Sequence, residues 1–194
     1  MGVKLPNQAA PGNGAVASRF RFNASGAPCL SCDVSRQRMS ALSEFLSDVI
    51  KAALTELRED PIQIYTFAFY HDHESGIVSV CGDSKESSTK LVRSSNQWSM
   101  GYFAEHIQSG SWKDACLFQA NVGRSLSLGD FARVNLAETD LDDDTATDES
   151  FYIEMARAVI AHQREILELA PEPDEVVFCC SSADSEVGLI WSRL

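Results

Sequence analysis

The chain has 194 residues, of which 44% are hydrophobic and 23% charged, and its formal net charge is −12. This length and composition are typical of one globular domain. A chain this acidic repels phosphate backbones, which argues against nucleic-acid binding. No apolar run is long enough to span a membrane, and the N-terminus lacks the apolar core of a secretory signal. The sequence therefore predicts a cytoplasmic protein.

The first 32 residues are rich in Pro, Gly, Ala and Asn. Such a composition is typical of a flexible arm, so residues 33–194 are predicted to form a single domain after it. Within the arm, SRFRF alternates charged and aromatic residues, which is compatible with a short edge strand.

An apolar residue recurs every three or four positions after the arm, which predicts a long amphipathic helix. Asp33 is a candidate cap at its start, and Asp60-Pro61 is expected to end it. The next segment, IQIYTFAFYH, is β-branched and aromatic on both parities, as in a buried central strand. It is followed by a turn at Gly76 and by IVSVC, which together predict a β-hairpin.

The middle of the chain gives weaker signals. SKESSTKLVRSS is read as a short helix and loop, NQWSMGYFAEHIQSG as a helix, and SWKDACLFQANVGRSLSL as another helix. The acidic stretch ETDLDDDTATDES is read as a loop, in which Thr147 or Asp148 caps the following helix, FYIEMARAVIAHQREILELA. Prolines at 171 and 173 end that helix, and EVVFCCSS and VGLIWSRL are two closing strands.

This order of elements predicts an α+β fold with a mainly antiparallel sheet of four to five strands and two long helices packed on one face. The two helix-strand-strand segments also resemble each other. In both, 15 residues separate a helix-ending proline (Pro61, Pro173) from a turn glycine (Gly76, Gly188). A duplicated α-β-β unit is one explanation.

No sequence motif assigns catalytic or cofactor chemistry to this chain. It lacks G-x-S-x-G, P-loop and G-x-G-x-x-G patterns. His71 and His73 share a strand face, but no third ligand is placed beside them, and the CxxC of Cys29 and Cys32 follows an arm rather than a strand. We therefore predict no metal, no cofactor and no catalytic residue.

The acidic stretch is also a poor calcium loop. An EF-hand pattern would require Gly where Thr145 stands and Glu where Phe151 stands. The carboxylates are better explained as a surface for a basic protein partner, or as a solvated loop. Trp98 is a candidate contact because Trp often anchors interfaces. The candidate partner-binding residues are Glu138, Asp140, Asp142, Asp143, Asp144 and Trp98.

Residues 35–194 resemble the bacterial domain-of-unknown-function family 4303. The segments that carry the resemblance are IYTFAFYHD, GIVSVCGDSKES, NQWSMGYF, FYIEMARAVIAHQREIL and the final pair of strands. Small acidic members of that family look like proteins found beside toxin genes. The resemblance implies an immunity protein or another binding protein, and it implies no catalytic residue.

Three functions follow from the sequence. The first is a non-enzymatic, acidic protein-binding module, specifically an immunity protein that neutralises a toxin. The second is a small hydrolase that uses His71, His73 or Glu105 in a cleft beside Trp98. The third is a structural or regulatory domain that augments a partner's sheet through SRFRF.

Overall fold

The computed structural model describes residues 30–118, 120–142 and 145–193, with side chains from residue 40 onward. Its contacts divide the chain into two units, Met1–Arg38 and Met39–Leu194. The first unit is described only as helical backbone from residue 30. Residues 1–29 of the predicted arm, its SRFRF strand and the side chains of the CxxC motif lie outside the described residues, and residues 30–32 are helical backbone of the first helix.

The described chain contains four α-helices and five strands, with two 3₁₀ turns at Leu128–Asp130 and Pro173–Glu175. The elements in chain order are α1 (Leu30–Glu59), β1 (Ile64–Asp72), β2 (Ile77–Ser84), α2 (Lys85–Gln108), α3 (Trp112–Ala115), β3 (Arg133–Asp140), α4 (Glu149–Leu167), β4 (Val177–Ser182) and β5 (Ser185–Ser192). The α+β class is confirmed.

Both long helices predicted from periodicity are present. Helix α1 ends just before Asp60-Pro61, as expected, but it begins at Leu30, so Asp33 lies inside it and the predicted cap is wrong. A capping residue favours a helix start without imposing one, and the backbone continues the helix upstream. Helix α4 begins after Asp148, whose carboxylate accepts hydrogen bonds from the amides of Ser150 and Phe151. That predicted cap is confirmed.

The strands form one sheet in the order β3-β2-β1-β4-β5. The hairpin of β1 and β2 is antiparallel, and Gly76 at its turn has a φ of +70°, a conformation that favours glycine. Strands β4 and β5 form a second antiparallel hairpin, whereas β1 and β4 pair in parallel at the centre. The sheet is therefore mostly antiparallel, with β3 and β5 at its edges.

One face of the sheet is covered by α1 and α4, as predicted. Phe67 and Phe69 of β1 and Phe178 of β4 point to this face and are fully buried. They pack with buried residues of both helices, including Leu54 and Met155. Because large apolar side chains interlock here, this layer is the main source of hydrophobic stabilisation.

The repeated α-β-β order is real, but the two units have opposite handedness. Helices α1 and α4 lie on the same face, and β1 and β4 run in the same direction. Strand β2, however, lies on one side of this central pair, and β5 lies on the other. A rotation cannot superimpose units that differ in this way. The recurrence is therefore one of element order rather than of three-dimensional arrangement.

The middle of the chain differs from the sequence prediction. The segment read as a short helix, a loop and a second helix is one continuous 24-residue helix, α2, capped by Ser84. The next predicted helix shrinks to the four residues of α3. The acidic stretch was read as a loop, but its first three residues, 138–140, belong to β3. The sequence did not predict β3, because Leu136 is the one buried residue along it and the strand therefore lacks an alternation of apolar and polar residues.

None of the helices in the described residues is both long enough and apolar enough to cross a membrane.

Candidate protein-interaction surface

The second face of the sheet carries small and polar side chains instead of large apolar ones. Its buried residues include Thr66, Ser79 and Ser181, together with Ala68 and Cys179. This face is covered by the start of α2 and by residues 120–132, which return from α3 to β3. Leu128 and Phe131 of this connection are buried against Ala68, Cys81 and Cys179, and hydrogen bonds fix the remainder of the connection to the sheet.

Arg124 is the main attachment of residues 120–132 to the sheet. Its Nη1 donates to the carbonyl oxygen of Tyr65 at 2.6 Å and to Oγ1 of Thr66 at 3.1 Å, while Nη2 donates to the carbonyl oxygen of Glu175 at 2.8 Å. The guanidinium also lies 3.8 Å from the centroid of the Tyr65 ring, a cation–π distance. One side chain therefore links this connection to β1 and to the turn before β4.

Two further hydrogen bonds join this connection to the first turn of α2 and to the end of β2. The amide of Ser125 donates to Oγ of Ser88 at 2.8 Å, and the amide of Ala132 donates to Oδ1 of Asp83 at 3.2 Å. Asp83 is fully buried, and its Oδ2 has no hydrogen-bond partner. Burial raises the pKa of this carboxyl, although hydrogen bonds from nearby hydroxyls and amides oppose the shift.

Between α2 and this connection lies an open groove of about 590 Å³. It is lined on the helix side by Leu91, Ser94, Ser95 and Trp98 and on the opposite side by Asn121, Ser125, Leu126, Ser127 and Asp130. Many of these polar groups bond to one another. The side-chain amide of Asn121 donates to Oγ of Ser95 at 2.9 Å, and Oγ of Ser127 donates to Asp130.

Trp98 lines the groove and belongs to an aromatic cluster at the outer part of α2, by which we mean the helix from Arg93 onward. Its ring centroid lies 4.8 Å from that of Tyr102 and 5.9 Å from that of Phe118. Phe118 is stacked between Tyr102 and His106, at 5.1 and 5.5 Å. Trp98 is nevertheless 60% exposed. The aromatic cluster therefore covers this side of α2 only in part.

The outer part of α2 is covered by the rest of the described chain on one side only, and there incompletely. No residue from Arg93 to Gly110 is buried. The same segment, with α3 and the residues after it, carries the largest group of exposed apolar side chains. These are Trp98, Met100, Tyr102, Phe103, Ile107, Trp112 and Leu117. We call this group the α2–α3 apolar surface. An exposed group of this size is typical of an interaction site.

The α2–α3 apolar surface is also low in charge. Residues 94–104 contain no charged residue, and residues 85–118 carry four basic and three acidic side chains, a net charge of +1 in a chain of −12. Apolar and uncharged residues at the centre of a surface patch are a feature of protein interfaces. This run of uncharged residues is visible in the sequence, and it is the signal by which the surface could have been predicted.

The acidic candidates lie on a different part of the sheet. Glu138 and Asp140 are exposed on the edge strand β3, and Asp142 is exposed just beyond it. Asp143 and Asp144 lie outside the described residues. Strand β3 is irregular, because its register with β2 shifts twice. Two of its residues, Asn135 and Ala137, have positive φ. Such irregularity and charge discourage pairing with another strand.

The structure does not join Trp98 to the acidic candidates. Asp140 is paired with Ile77 at one end of β2, whereas α2 begins beyond Ser84 at the other end. Among the described residues, no hydrogen bond, ion pair or aromatic contact connects Trp98 to β3. The two groups are therefore two candidate surfaces.

His71, buried in β1, and His73, exposed in the turn that follows β1, do come together. Nδ1 of His71 lies 3.1 Å from the hydroxyl of Tyr152, Nε2 of His73 lies 2.9 Å from the carbonyl oxygen of Ser182, and the two imidazole centroids are 4.9 Å apart. Burial, and to a smaller extent His73, lower the pKa of His71. Glu105, the third hydrolase candidate, is exposed on α2, and no described contact links it to either histidine.

The described residues contain no group of three or more His, Cys, Asp or Glu side chains placed to hold a metal ion. Three cysteines, Cys81, Cys179 and Cys180, are buried free thiols. Burial raises the pKa of Cys179 to about 12, which makes its thiolate inaccessible near neutral pH. Cys116 is exposed and unpaired.

Comparisons with protein-family models, with curated proteins and with solved structures find no match to this chain.

Proposed function

We propose that this protein is a non-enzymatic binding module that captures a basic protein partner, and that its role is to neutralise a toxin as an immunity protein. The observation that carries the binding role is the outer part of α2, which has no buried residue from Arg93 to Gly110 and yet bears Trp98 and several other large apolar side chains.

The exposed area of this surface supports a protein as the ligand. The exposed fractions of Trp98, Tyr102, Trp112 and Leu117 amount to about two and a half fully exposed residues. At roughly 200 Å² per large side chain, this is on the order of 500 Å², which is more than half of one partner's share of a standard interface. The groove beside Trp98 offers a concave site for an anchoring side chain of the partner.

The exposed carboxylates on and beside β3 support a partner of positive charge. Glu138, Asp140 and Asp142 are exposed on or next to an edge strand, and they belong to a chain with a net charge of −12. Such a field accelerates encounter with a basic protein and weakens as salt screens it. Apolar contacts at Trp98 would then determine how slowly the complex dissociates.

The experiment uses the product of the neighbouring gene as the probe. Binding is measured by surface plasmon resonance at about 50 mM and about 500 mM salt, which changes the Debye length from roughly 14 to 4 Å. We expect Trp98→Ala to accelerate dissociation. We expect Glu138→Gln, Asp140→Asn and Asp142→Asn together to slow association at low salt only. Co-expression should also rescue growth if the probe is toxic.

Two control variants separate specific from general effects. Ile153→Ala removes an exposed apolar side chain from α4, and Glu44→Gln, Glu59→Gln and Glu168→Gln change the net charge by the same three units on other exposed positions. Ile153→Ala should leave binding unchanged, and the three Glu→Gln substitutions should slow association at low salt less than the substitutions at Glu138, Asp140 and Asp142 do. Absence of binding at low salt, or equal loss in the control and test variants, would refute the proposed function.

A further inference from the structure

The apolar residues of α2 fall into two rows on opposite flanks of the helix. Successive residues of an α-helix are separated by about 100°, so Trp98 and Tyr102 point in similar directions. By the same geometry Met100, Phe103 and Ile107, spaced i, i+3 and i+7, share a second direction. This direction is on the opposite side of α2 from Trp98. We call these three residues the α2 seam.

The α2 seam is only partly covered in the described chain. Met100 is 72% exposed, Phe103 42% and Ile107 44%, and none of them belongs to either hydrophobic core cluster. The aromatic cluster that occupies the other flank includes Trp98 and Tyr102 but not Phe103. The spacing of the α2 seam is that of a helix that packs lengthwise against another helix.

The α2 seam carries no charge that would select a charged partner. The exposed residues along one side of it, Gln97, Gly101, Ala104 and Gln108, are uncharged, and the charged residue in its own direction is Arg93, two turns before Met100. For a chain of net charge −12, this is one of the surfaces on which a second copy can approach without meeting carboxylates. We propose that the α2 seam is a self-association interface in which two copies pair their α2 helices antiparallel about a two-fold axis.

The antiparallel arrangement also places the nearest charges favourably. If Met100 of each copy lies beside Phe103 of the other, Arg93 of one copy is level with Gly110 of the other. That position is just beyond the C-terminal end of α2, which is capped at Ser109. The C-terminal end of a helix carries partial negative charge from the helix dipole, which favours a nearby cation. An isologous pair makes this contact twice.

The available area indicates the strength of the pair. The three seam side chains expose on the order of 300 Å², and their uncharged neighbours bring this to about 500 Å² per copy, with roughly 200 Å² assigned to each large side chain. The total of about 1,000 Å² is at the lower limit for a specific interface. The dimer is therefore expected to be reversible, with a dissociation constant in the micromolar range.

The test compares two isoleucines of nearly equal exposure on two helices. Ile107 on α2 is 44% exposed, and Ile160 on α4 is 43% exposed. Sedimentation velocity of the full chain from about 1 to 200 μM should show a monomer–dimer equilibrium. Ile107→Glu should raise the dimer dissociation constant about 30-fold or more, because each dimer contains the substitution twice, whereas Ile160→Glu should leave it unchanged. Circular dichroism confirms that both variants are folded.

Each outcome bears on the proposal. A chain that remains monomeric up to about 200 μM overturns it, as does a dimer that dissociates equally with both variants or only with Ile160→Glu. A dimer that is insensitive to Ile107→Glu and to Met100→Glu places the contact elsewhere, with the exposed edge strand β5 as the next candidate, and also overturns it. Binding to the neighbouring gene product through Trp98 lies on the other flank, so its success or failure is measured independently.

Discussion

Arg124 should be one of the most important single side chains for the groove. Two of its hydrogen bonds, to Tyr65 and Thr66, are partly buried, and the third, to Glu175, is exposed. Hydrogen bonds from a charged donor contribute about 1.5–3 kcal/mol each when buried, and a cation–π contact at an exposed site adds about 0.5–1 kcal/mol. After a discount for solvent exposure, we expect Arg124→Met to lower the free energy of unfolding by on the order of 3 kcal/mol.

Urea unfolding at pH 7.5 and native-state hydrogen exchange measure this effect. Exchange should accelerate at the amide of Ser125, which donates to Ser88 and lies next to Arg124. Arg193→Met is the matched control, because Arg193 makes one exposed ion pair, with Asp174, and should cost less than about 1 kcal/mol. If Arg124→Met were within about 0.5 kcal/mol of the wild type, the role of Arg124 as the attachment of the groove wall would be refuted.

Three further predictions concern the fold. Gly101→Ala should raise the free energy of unfolding by about 0.5–1 kcal/mol, because Gly101 lies inside α2 and an added Cβ meets no atom within 4 Å. Thermal unfolding of the dilute protein should therefore show a higher Tm. A lower Tm would contradict the helical position of Gly101. Gly188→Ala should lower the free energy of unfolding by about 1–3 kcal/mol, because the added Cβ would overlap the side chain of Ser182 and lie 3.0 Å from its amide nitrogen. A urea unfolding midpoint equal to that of the wild type would contradict this prediction. The lowered pKa of His71 means that the unfolded chain binds this proton more readily, so its contribution to stability is present above the ordinary pKa of about 6.5 and is lost as the pH falls below it. The loss between pH 7.5 and pH 5 should be smaller in His71→Gln, and equal losses in the two proteins would exclude this histidine as a cause.

The local pattern was sufficient for the elements that bury a continuous apolar face. Helices α1 and α4 and the two hairpins follow from periodicity, from β-branched residues and, in the first hairpin, from the turn glycine Gly76, since each is encoded within a few consecutive residues. The Asp148 cap could be predicted for the same reason, because its hydrogen bonds reach only two and three residues along the chain. The α+β class then followed from the order of the elements.

The sequence could not reveal features that depend on distant partners. The parallel pairing of β1 with β4 joins residues 111 positions apart, such as Phe67 and Phe178, and it alone determines the opposite handedness of the two α-β-β units. Strand β3 is an edge strand whose identity comes from its ladder with β2 and not from its own side chains.

For the candidate surface, too, the sequence and the tertiary structure determine different properties. Its composition is visible in the sequence as a run of uncharged residues around Trp98, and the acidic stretch is equally visible. Only the tertiary structure decides that the outer part of α2 is left partly uncovered, that Arg124 anchors the opposite wall of the groove, and that the carboxylates lie on a separate edge of the sheet. The physical reason is that exposure is a property of what surrounds a residue, and the surroundings of α2 come from segments far away along the chain.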